Sequence, residues 1–336
     1  MATATLSLSA QPGTLPALAY AERVLAHVSL SAAEEFTRIT RIVLADHTPS
    51  HGLLNRNGDP LEFAVNPATN DLRFTMELAA QPAARLQGLS SVLTALDTPY
   101  QGIAASFSML QTGAALRWGA WLSARLPFDA QSPVRFKIYA ETPSPSSPPT
   151  VALLEQYQVP HLATASLVMI AASPASPRCE FYFEPGSLTA QSLAFLLAPF
   201  GLAHCLDDLI DALCHFSFRR GCHPDGLPKA TYGFSYSVLP GGALPVFSLF
   251  VHAAQLAGAD LYLRRQFLAA HPHPNEAITF YADLTQSLPD LSERALFHNM
   301  LTVSINGEAP PAFQLSLCLP PAPKGLPECP SHNPSL

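Results

Sequence analysis

Charge is scarce in this sequence. Of 336 residues only 13% are Asp, Glu, Lys or Arg, and the net charge at pH 7 is −7. A nucleic-acid-binding protein would carry a basic stripe, so we exclude that class of partner. No apolar run reaches the roughly 18 residues that a membrane span requires, and the sequence does not open with a basic region followed by a long apolar run. We therefore predict a cytoplasmic protein without a membrane partner.

Cysteine motifs are also missing. None of the six cysteines is spaced as CxxC. The chain is too long to be a disulfide-stapled mini-domain, so we interpret the cysteines as reduced thiols. One cluster of Cys and His fits no zinc-finger spacing, and we expect no metal there. That cluster comprises His204, Cys205, Cys214, His215, Cys222 and His223.

Proline, in contrast, is abundant, and this limits the fold. The 33 prolines are spread along the chain, and proline breaks helix interiors, so a bundle of long helices is excluded. Residues 1–18 and 321–336 are rich in Pro, Ser and small residues and are predicted to be loose ends. The stretch ETPSPSSPPT, residues 141–150, is a connector that either divides two domains or forms one long loop.

Between the ends, strand-like segments come in five close pairs with helical stretches between them. The turns within the pairs contain Pro, Gly, Asn or Ser. The predicted strand pairs are 61–66 with 71–78, 115–123 with 133–141, 163–171 with 178–184, 230–238 with 243–252, and 300–306 with 312–319. The predicted helices are 20–45, 79–98, 188–218, 253–270 and 289–299.

Alternation within the strands separates a polar face from an apolar one. In RFKIY, Arg135, Lys137 and Tyr139 share one face, and Phe136 and Ile138 share the other. An open sheet with its polar face in water would show this pattern. A closed barrel of ten antiparallel strands fits better, with helices outside and the polar face lining a lumen wide enough for a ligand. The predicted class is therefore α+β, with repeated helix–helix–strand–strand units.

One short motif is typical of a different class of enzyme. DDLID contains Asp207, Asp208 and Asp211 and matches the DDxxD pattern by which all-helical prenyl synthases and terpene cyclases hold magnesium diphosphates. Asp207 and Asp211 lie four apart, so they would share one helix face and could chelate a hard cation. Carboxylates at this spacing are also common on solvated helices. The strand-rich pattern and the prolines favour the second interpretation.

Four segments of the predicted strand pairs form a recognisable set. They are NGDPLEFAVNPATNDLRFTMELA (57–79), RFKIYAE (135–141), RCEFYFEPG (178–186) and ATYGFSYSVLPGGALPVFSLFVH (230–252). They resemble the aromatic prenyltransferases of the dimethylallyltryptophan-synthase type. The resemblance extends over about residues 50–320, and the first hairpin carries it most specifically. It implies a single domain over 19–320, built as a ten-stranded barrel ringed by helices in ααββ repeats.

The resemblance also implies a reaction, in which a prenyl group moves from an allylic diphosphate to an aromatic acceptor, often an indole. Such enzymes are soluble and typically work without Mg²⁺, so no cofactor is expected. The partners would be the prenyl diphosphate and the acceptor, and the protein would be a monomer or homodimer. DDLID then becomes part of a surface helix.

Matching position by position, the resemblance assigns roles to individual side chains. Glu62 is the carboxylate that holds the acceptor and is the predicted catalytic residue. The other assignments fall into diphosphate-binding and cation-shielding positions. Diphosphate binding is predicted for Arg73, Lys137 and Arg178, and shielding of the carbocation for Tyr139 and Tyr182, with Tyr232 and Tyr236 from the adjacent strand.

Departures from the family pattern leave alternatives open. Glu180 stands where the family usually has Lys, and Phe250 and Cys318 stand at or near expected tyrosines. Ser248 stands where the family tends to have Gln, and Ser316 lies near another expected tyrosine. The prenyl chain could therefore be longer than dimethylallyl. The acceptor could instead be a phenol or a peptide side chain, or the barrel could bind a hydrophobic ligand without catalysis.

Overall fold

The computed structural model describes residues 14–44, 52–79, 81–98, 101–129, 131–160, 164–218, 226–288 and 296–320. Its strands are β1 (Leu61–Asn66), β2 (Asp71–Glu77), β3 (Ala120–Pro127), β4 (Arg135–Glu141), β5 (Ala165–Ala172), β6 (Cys179–Pro185), β7 (Tyr232–Val238), β8 (Val246–His252), β9 (His298–Ile305) and β10 (Ala312–Cys318). Its helices are α1 (Thr14–Val28), α2 (Leu30–Leu44), α3 (Pro82–Ala95), α4 (Gln101–Gln111), α5 (Pro148–Gln156), α6 (Ala190–Leu197), α7 (Leu206–Phe216), α8 (Ala253–Leu256), α9 (Asp260–Ala269) and α10 (Glu276–Leu284).

All ten strands form one closed antiparallel barrel, in which each strand pairs with its neighbours in sequence and β1 pairs with β10. Closure leaves no strand edge exposed. Glu62 lies opposite Cys318 across the closing pair and opposite Thr75 across the first hairpin. The predicted barrel is therefore confirmed, and the open sheet is excluded.

The apolar face of the barrel points outward and packs against the helices. Phe36 of α2 contacts Phe63 of β1 and Phe74 of β2, with ring centroids 5.6 and 5.0 Å apart. The main hydrophobic core thus lies between barrel and helices, and burying these side chains contributes about 1.5–3 kcal/mol each. Because side chains alternate along a strand, the polar positions are directed into the lumen.

The helices follow the prediction less closely. α1 already begins at Thr14, so part of the predicted loose end is helical. α4, α5 and α10 were not predicted, although α5 starts in the Pro/Ser connector with prolines in its first turn, where proline needs no N–H partner. α10 has a conventional cap, Asn275, whose side chain accepts from the Ile278 N–H.

Two predicted elements have wrong boundaries where a strand begins. The predicted helix 289–299 is wrong at its C-terminal end, because β9 begins at His298; residues 289–295 lie outside the described chain. β3 begins at Ala120 instead of residue 115, after the Trp118–Gly119 loop. Among the described helices, none combines the length and the hydropathy that crossing a bilayer requires.

A buried ion pair fixes one end of the barrel. Arg85 of α3 and Glu77 at the end of β2 are 0% and 1% exposed, and their Nη1 and Oε1 atoms are 2.8 Å apart. The same guanidinium donates to the carbonyl oxygens of Trp118 and Ala79, and Glu77 accepts from the Leu53 N–H. One pair thus joins α3 and β2 to three connecting segments, those that contain Leu53, Ala79 and Trp118.

We expect Arg85→Met to lower the free energy of unfolding by about 3–5 kcal/mol, because it leaves the Glu77 carboxylate buried without its cation. Denaturant titration measures this loss. The double variant Arg85→Met, Glu77→Gln is the control and should lose less, since it buries no unpaired charge. A single variant as stable as the double would contradict the assignment.

Candidate active site in the barrel lumen

The two halves of the lumen have different linings. Strands β2 to β6 contribute large charged and aromatic side chains, whereas β7 to β10 and β1 contribute mostly small ones. Ser248 and Ser304, in register on β8 and β9, join their hydroxyls at 2.8 Å. The large side chains include Arg73, Trp121, Arg125, Lys137, Tyr139, Glu180 and Tyr182, and the small ones include Ala64, Gly233, Ser235, Ser248, Ser304 and Ser316.

Glu62 is the carboxylate of the small-residue side. Asn299 at the start of β9 donates its amide N–H to Glu62 Oε2, and the Ser316 hydroxyl of β10 provides a second hydrogen bond. Burial disfavours the ionised form and, although these hydrogen bonds oppose it, raises the pKa of Glu62 to about 7. The carboxyl group is therefore poised to accept a hydrogen bond or a proton near neutral pH.

Lys137 and Glu180 form an ion pair on the opposite wall, with Nζ and Oε1 2.5 Å apart. Tyr182 donates its hydroxyl to the other oxygen of Glu180, also at 2.5 Å. Burial opposes ionisation of Glu180, but the positive charges of Lys137 and Arg73 outweigh it and lower the pKa to about 2. The negative charge at this departure from the family pattern is therefore neutralised mainly by Lys137.

Arg73 of β2 provides a further positive charge in this region. Its burial would lower the pKa of the guanidinium, but nearby Tyr139, Glu180 and Tyr182 raise it, so the side chain stays charged. Within the described residues it makes no hydrogen bond and no ion pair shorter than 4.0 Å. A buried guanidinium with free donors is suited to bind an anion bidentately.

Aromatic rings form a continuous wall beside these charges. Trp121 to Tyr139, Tyr139 to Tyr182, and Tyr182 to Phe250 have centroid separations of 6.4, 5.7 and 6.1 Å. The Lys137 ammonium lies 5.9 Å from the Tyr139 ring centroid. Such ring faces stabilise a cation electrostatically and keep water from it. Tyr139 and Tyr182, the predicted shielding residues of β4 and β6, both belong to this wall.

Two members of the wall were not predicted. Trp121 lies on the same face of β3 as Ser123 and Arg125, so strand parity alone could have placed it in the lumen. Phe250 lies across Gly233 of the paired strand, where a Cβ would come within 2.1 Å of its ring. Glycine at 233 is what lets the Phe250 ring lie back against β7.

The shielding role predicted for Tyr232 and Tyr236 is wrong. Tyr236 is fully buried among the outward rings and donates its hydroxyl to the Leu196 carbonyl of α6 at 2.9 Å. Tyr232 donates to the Pro228 carbonyl. On β7 the aromatic residues occupy the helix-facing positions, so glycine and serine are left for the lumen.

The remaining predicted residues lie at the edges of the lumen or outside it. Arg178 precedes β6, and its Nη1 donates to the Ser237 carbonyl at 2.7 Å, beside Glu180. Asp207 and Asp211 lie on the exposed side of α7, as the surface-helix interpretation of DDLID predicted. Among the described residues no group of three His, Cys, Asp or Glu could hold a metal ion; Cys222 and His223 lie outside them.

Crystal structures of several prenyltransferases superpose on this chain. The 5-dimethylallyltryptophan synthase of Streptomyces coelicolor has a TM-score of 0.72 and 15% identity, over 92% of this chain and 98% of that one. PriB in ternary complex with L-tryptophan and dimethylallyl thiolodiphosphate has a TM-score of 0.70 and 14% identity, over 93% and 99%. The chain has the prenyltransferase-barrel fold.

A third prenyltransferase structure is similar to this chain to the same degree. The 6-dimethylallyltryptophan synthase of Micromonospora olivasterospora also has a TM-score of 0.70, at 14% identity over 92% of this chain and 98% of that one. No protein-family profile matches the sequence, and no curated protein matches it significantly. At such low identity the likeness establishes the prenyltransferase barrel, and the chemistry has to be argued from the lumen.

We expect Glu62→Gln to stabilise the fold at pH 8 but not at pH 4.5. The folded carboxyl has a pKa of about 7 against an ordinary 4.5, so unfolding releases a proton between these values and stability falls as pH rises through them. Glutamine does not titrate, so the variant should gain about 1–3 kcal/mol at pH 8.

Denaturant unfolding at both pH values measures this difference. Glu184→Gln, at an exposed carboxyl of β6, is the control and should give the same stability difference from the wild type at both. If Glu62→Gln behaved like Glu184→Gln, burial of the Glu62 carboxylate would carry no cost.

Proposed function

We propose that this protein is a prenyltransferase, which moves a dimethylallyl or longer prenyl group from an allylic diphosphate to an indole-containing small molecule without a metal ion. The observation that carries the proposal is the placement of Glu62 and Arg73 in one lumen. They lie on paired strands, with Glu62 opposite Thr75 and Arg73 opposite Ala64. An acceptor on the carboxylate and a diphosphate on the guanidinium would therefore be neighbours.

The donor comes first in the proposed mechanism. Arg73, Lys137 and Arg178 bind the diphosphate, and their charges stabilise the negative charge that develops as the C–O bond to the prenyl group breaks. Both bonding electrons leave with the diphosphate. The allylic cation that remains faces the rings of Tyr139 and Tyr182, which stabilise it and exclude water.

The acceptor is then attacked at close range. Glu62 accepts the indole N–H, orients the ring and increases its electron density, and an aromatic carbon or nitrogen forms the new bond to the cation. The attacked atom then loses its proton to the released diphosphate, which restores the aromatic system. Asn299 holds the Glu62 carboxylate in position by its amide.

The comparisons support this choice of substrates. PriB binds L-tryptophan together with dimethylallyl thiolodiphosphate, and two further neighbours are dimethylallyltryptophan synthases. We infer for this chain the same two partner classes, a prenyl diphosphate and an aromatic acceptor. We further propose that it acts in the cytoplasm as a monomer or homodimer, without nucleic acid or a membrane.

A second candidate is a barrel that binds a hydrophobic ligand without catalysis. It is favoured by the Lys137–Glu180 pair, which removes one positive charge from the region proposed for the diphosphate. A phenol or a peptide side chain remains a further possible acceptor, since Glu62 would accept an O–H equally well.

Mass spectrometry of products separates these functions. The protein is incubated with dimethylallyl or geranyl diphosphate and a panel of indoles, phenols and tryptophan- or tyrosine-containing peptides. Prenylated indoles support the proposal, prenylated phenols or peptides select the alternative acceptor, and absence of any product with either donor contradicts it.

We expect Glu62→Gln to lower turnover by roughly 10- to 1000-fold, because it removes the charge that holds the acceptor N–H. Donor affinity should change little. Arg73→Ala should instead weaken donor binding, since Arg73 is assigned to the diphosphate. Steady-state kinetics and donor titration measure both. Wild-type turnover of a folded Glu62→Gln protein on its true acceptor would refute the role of Glu62.

We expect the double variant Asp207→Asn, Asp211→Asn to keep turnover within about threefold of wild type, a change below 1 kcal/mol in the barrier. The reason is that both carboxylates lie on the outer surface of α7, away from the lumen. Excess chelator should likewise leave turnover unchanged. A loss of several orders of magnitude in either experiment would instead favour a magnesium-dependent reaction.

A further inference from the structure

We propose that the diphosphate-binding site extends over a strip of three arginines, Arg73, Arg125 and Arg135, on β2, β3 and β4. This makes Arg125 and Arg135 binding residues in addition to those predicted from the sequence. The inference rests on the proposed function for the identity of the ligand. The chemistry it requires of the ligand is that of an inorganic or organic diphosphate.

The register of three neighbouring strands creates the strip. Arg73 lies directly opposite Arg125, and Arg125 lies directly opposite Arg135. Opposed residues on antiparallel strands have Cα atoms about 4.5–5.5 Å apart, so three guanidinium groups are presented side by side. Like charges placed directly opposite each other destabilise a sheet, and a bound anion removes that cost.

Counter-charge on this side of the lumen is incomplete. Asp71 forms an ion pair with Arg125, whose side chain is still 34% exposed. Within the described residues, the guanidinium groups of Arg73 and Arg135 make no hydrogen bond and no ion pair shorter than 4.0 Å. Glu180, the other carboxylate nearby, is hydrogen-bonded to Lys137 and Tyr182. The positive charge that remains is therefore concentrated along β2 to β4.

A buried hydroxyl next to the strip provides an independent indication. Ser123 precedes Arg125 by two residues on the same face of β3, and its side chain is 2% exposed. Its Oγ has no hydrogen-bond partner in the described part of the chain. Buried hydroxyls are nearly always hydrogen-bonded, so an unpartnered one in the lumen points to a ligand oxygen as its partner.

A diphosphate matches this arrangement in charge and in extent. It carries several negative charges, and its two phosphate groups can each accept paired N–H bonds from one guanidinium. Arg125 reaches the ligand from the middle of the strip, where Asp71 competes with the ligand for its guanidinium. Arg135, exposed at the start of β4, contacts the end of the diphosphate nearer to solvent.

Binding of inorganic pyrophosphate to the full chain, measured by titration calorimetry without metal ions, tests the strip directly. Arg125→Gln and Arg135→Gln should each weaken binding about tenfold or more, as expected for losing one charge-assisted contact. Arg265→Gln, on the exposed side of α9, removes the same charge elsewhere and is the matched control. It should stay within about twofold of wild type.

A folding defect of Arg125→Gln would also weaken binding, so Asp71→Asn is a second variant with the opposite expected effect. It frees Arg125 from its carboxylate and should tighten pyrophosphate binding severalfold. Pyrophosphate affinities of the Arg125 and Arg135 variants equal to that of Arg265→Gln would overturn the strip, as would a wild type that binds no pyrophosphate. Strip-dependent binding in a protein that prenylates nothing would refute the proposed function alone.

Discussion

Closure of the barrel by β1 and β10 is the constraint on which the lumen depends. It brings Glu62, near the start of the chain's first hairpin, against Ser316 and against Asn299, which is 237 residues away in sequence. Without that pairing, the carboxylate would face solvent and its pKa would not be raised. The closed sheet also obliges every inward polar group to find its partner inside the barrel or in a ligand.

Charge pairing then divides the lumen into satisfied and unsatisfied regions. Lys137 is neutralised by Glu180 within the protein, whereas Asp71 is the one carboxylate paired with the three opposed arginines, Arg73, Arg125 and Arg135, among the described residues. An unpaired charge in a partly dry interior is costly, and a bound anion would remove that cost. Arg73, next to the aromatic wall, is in this position. The small side chains of β7 to β10 leave room on the other side for an acceptor or a long prenyl chain.

Alternation made the strands and their faces predictable, because a strand with one face buried repeats every second residue. Glu62, Arg73, Lys137, Tyr139 and Tyr182 all lie in the lumen as predicted. Tyr236 was predicted wrongly because its aromatic type suggested the lumen, whereas alternation puts both Phe234 and Tyr236 on the outward face of β7. Asn299 fell in a segment predicted as helix. Neither it nor the cross-strand register of Arg125 is visible in local sequence, because both depend on which strands pair.

The raised pKa of Glu62 links the free-energy cost of ionising this carboxyl to the binding of an acceptor. In the empty lumen, ionising this carboxyl is disfavoured by burial, and Asn299 and Ser316 offset that penalty only in part. An acceptor that donates an N–H to Glu62 supplies a further hydrogen bond to the ionised form and would lower its pKa. Binding of the acceptor and loss of the Glu62 proton therefore favour each other, by the reciprocity that holds for any two coupled equilibria. The fold thus keeps a group that is unfavourable alone and becomes favourable when a donor of the right geometry is present, which is how a binding site gains specificity for an N–H over an apolar surface.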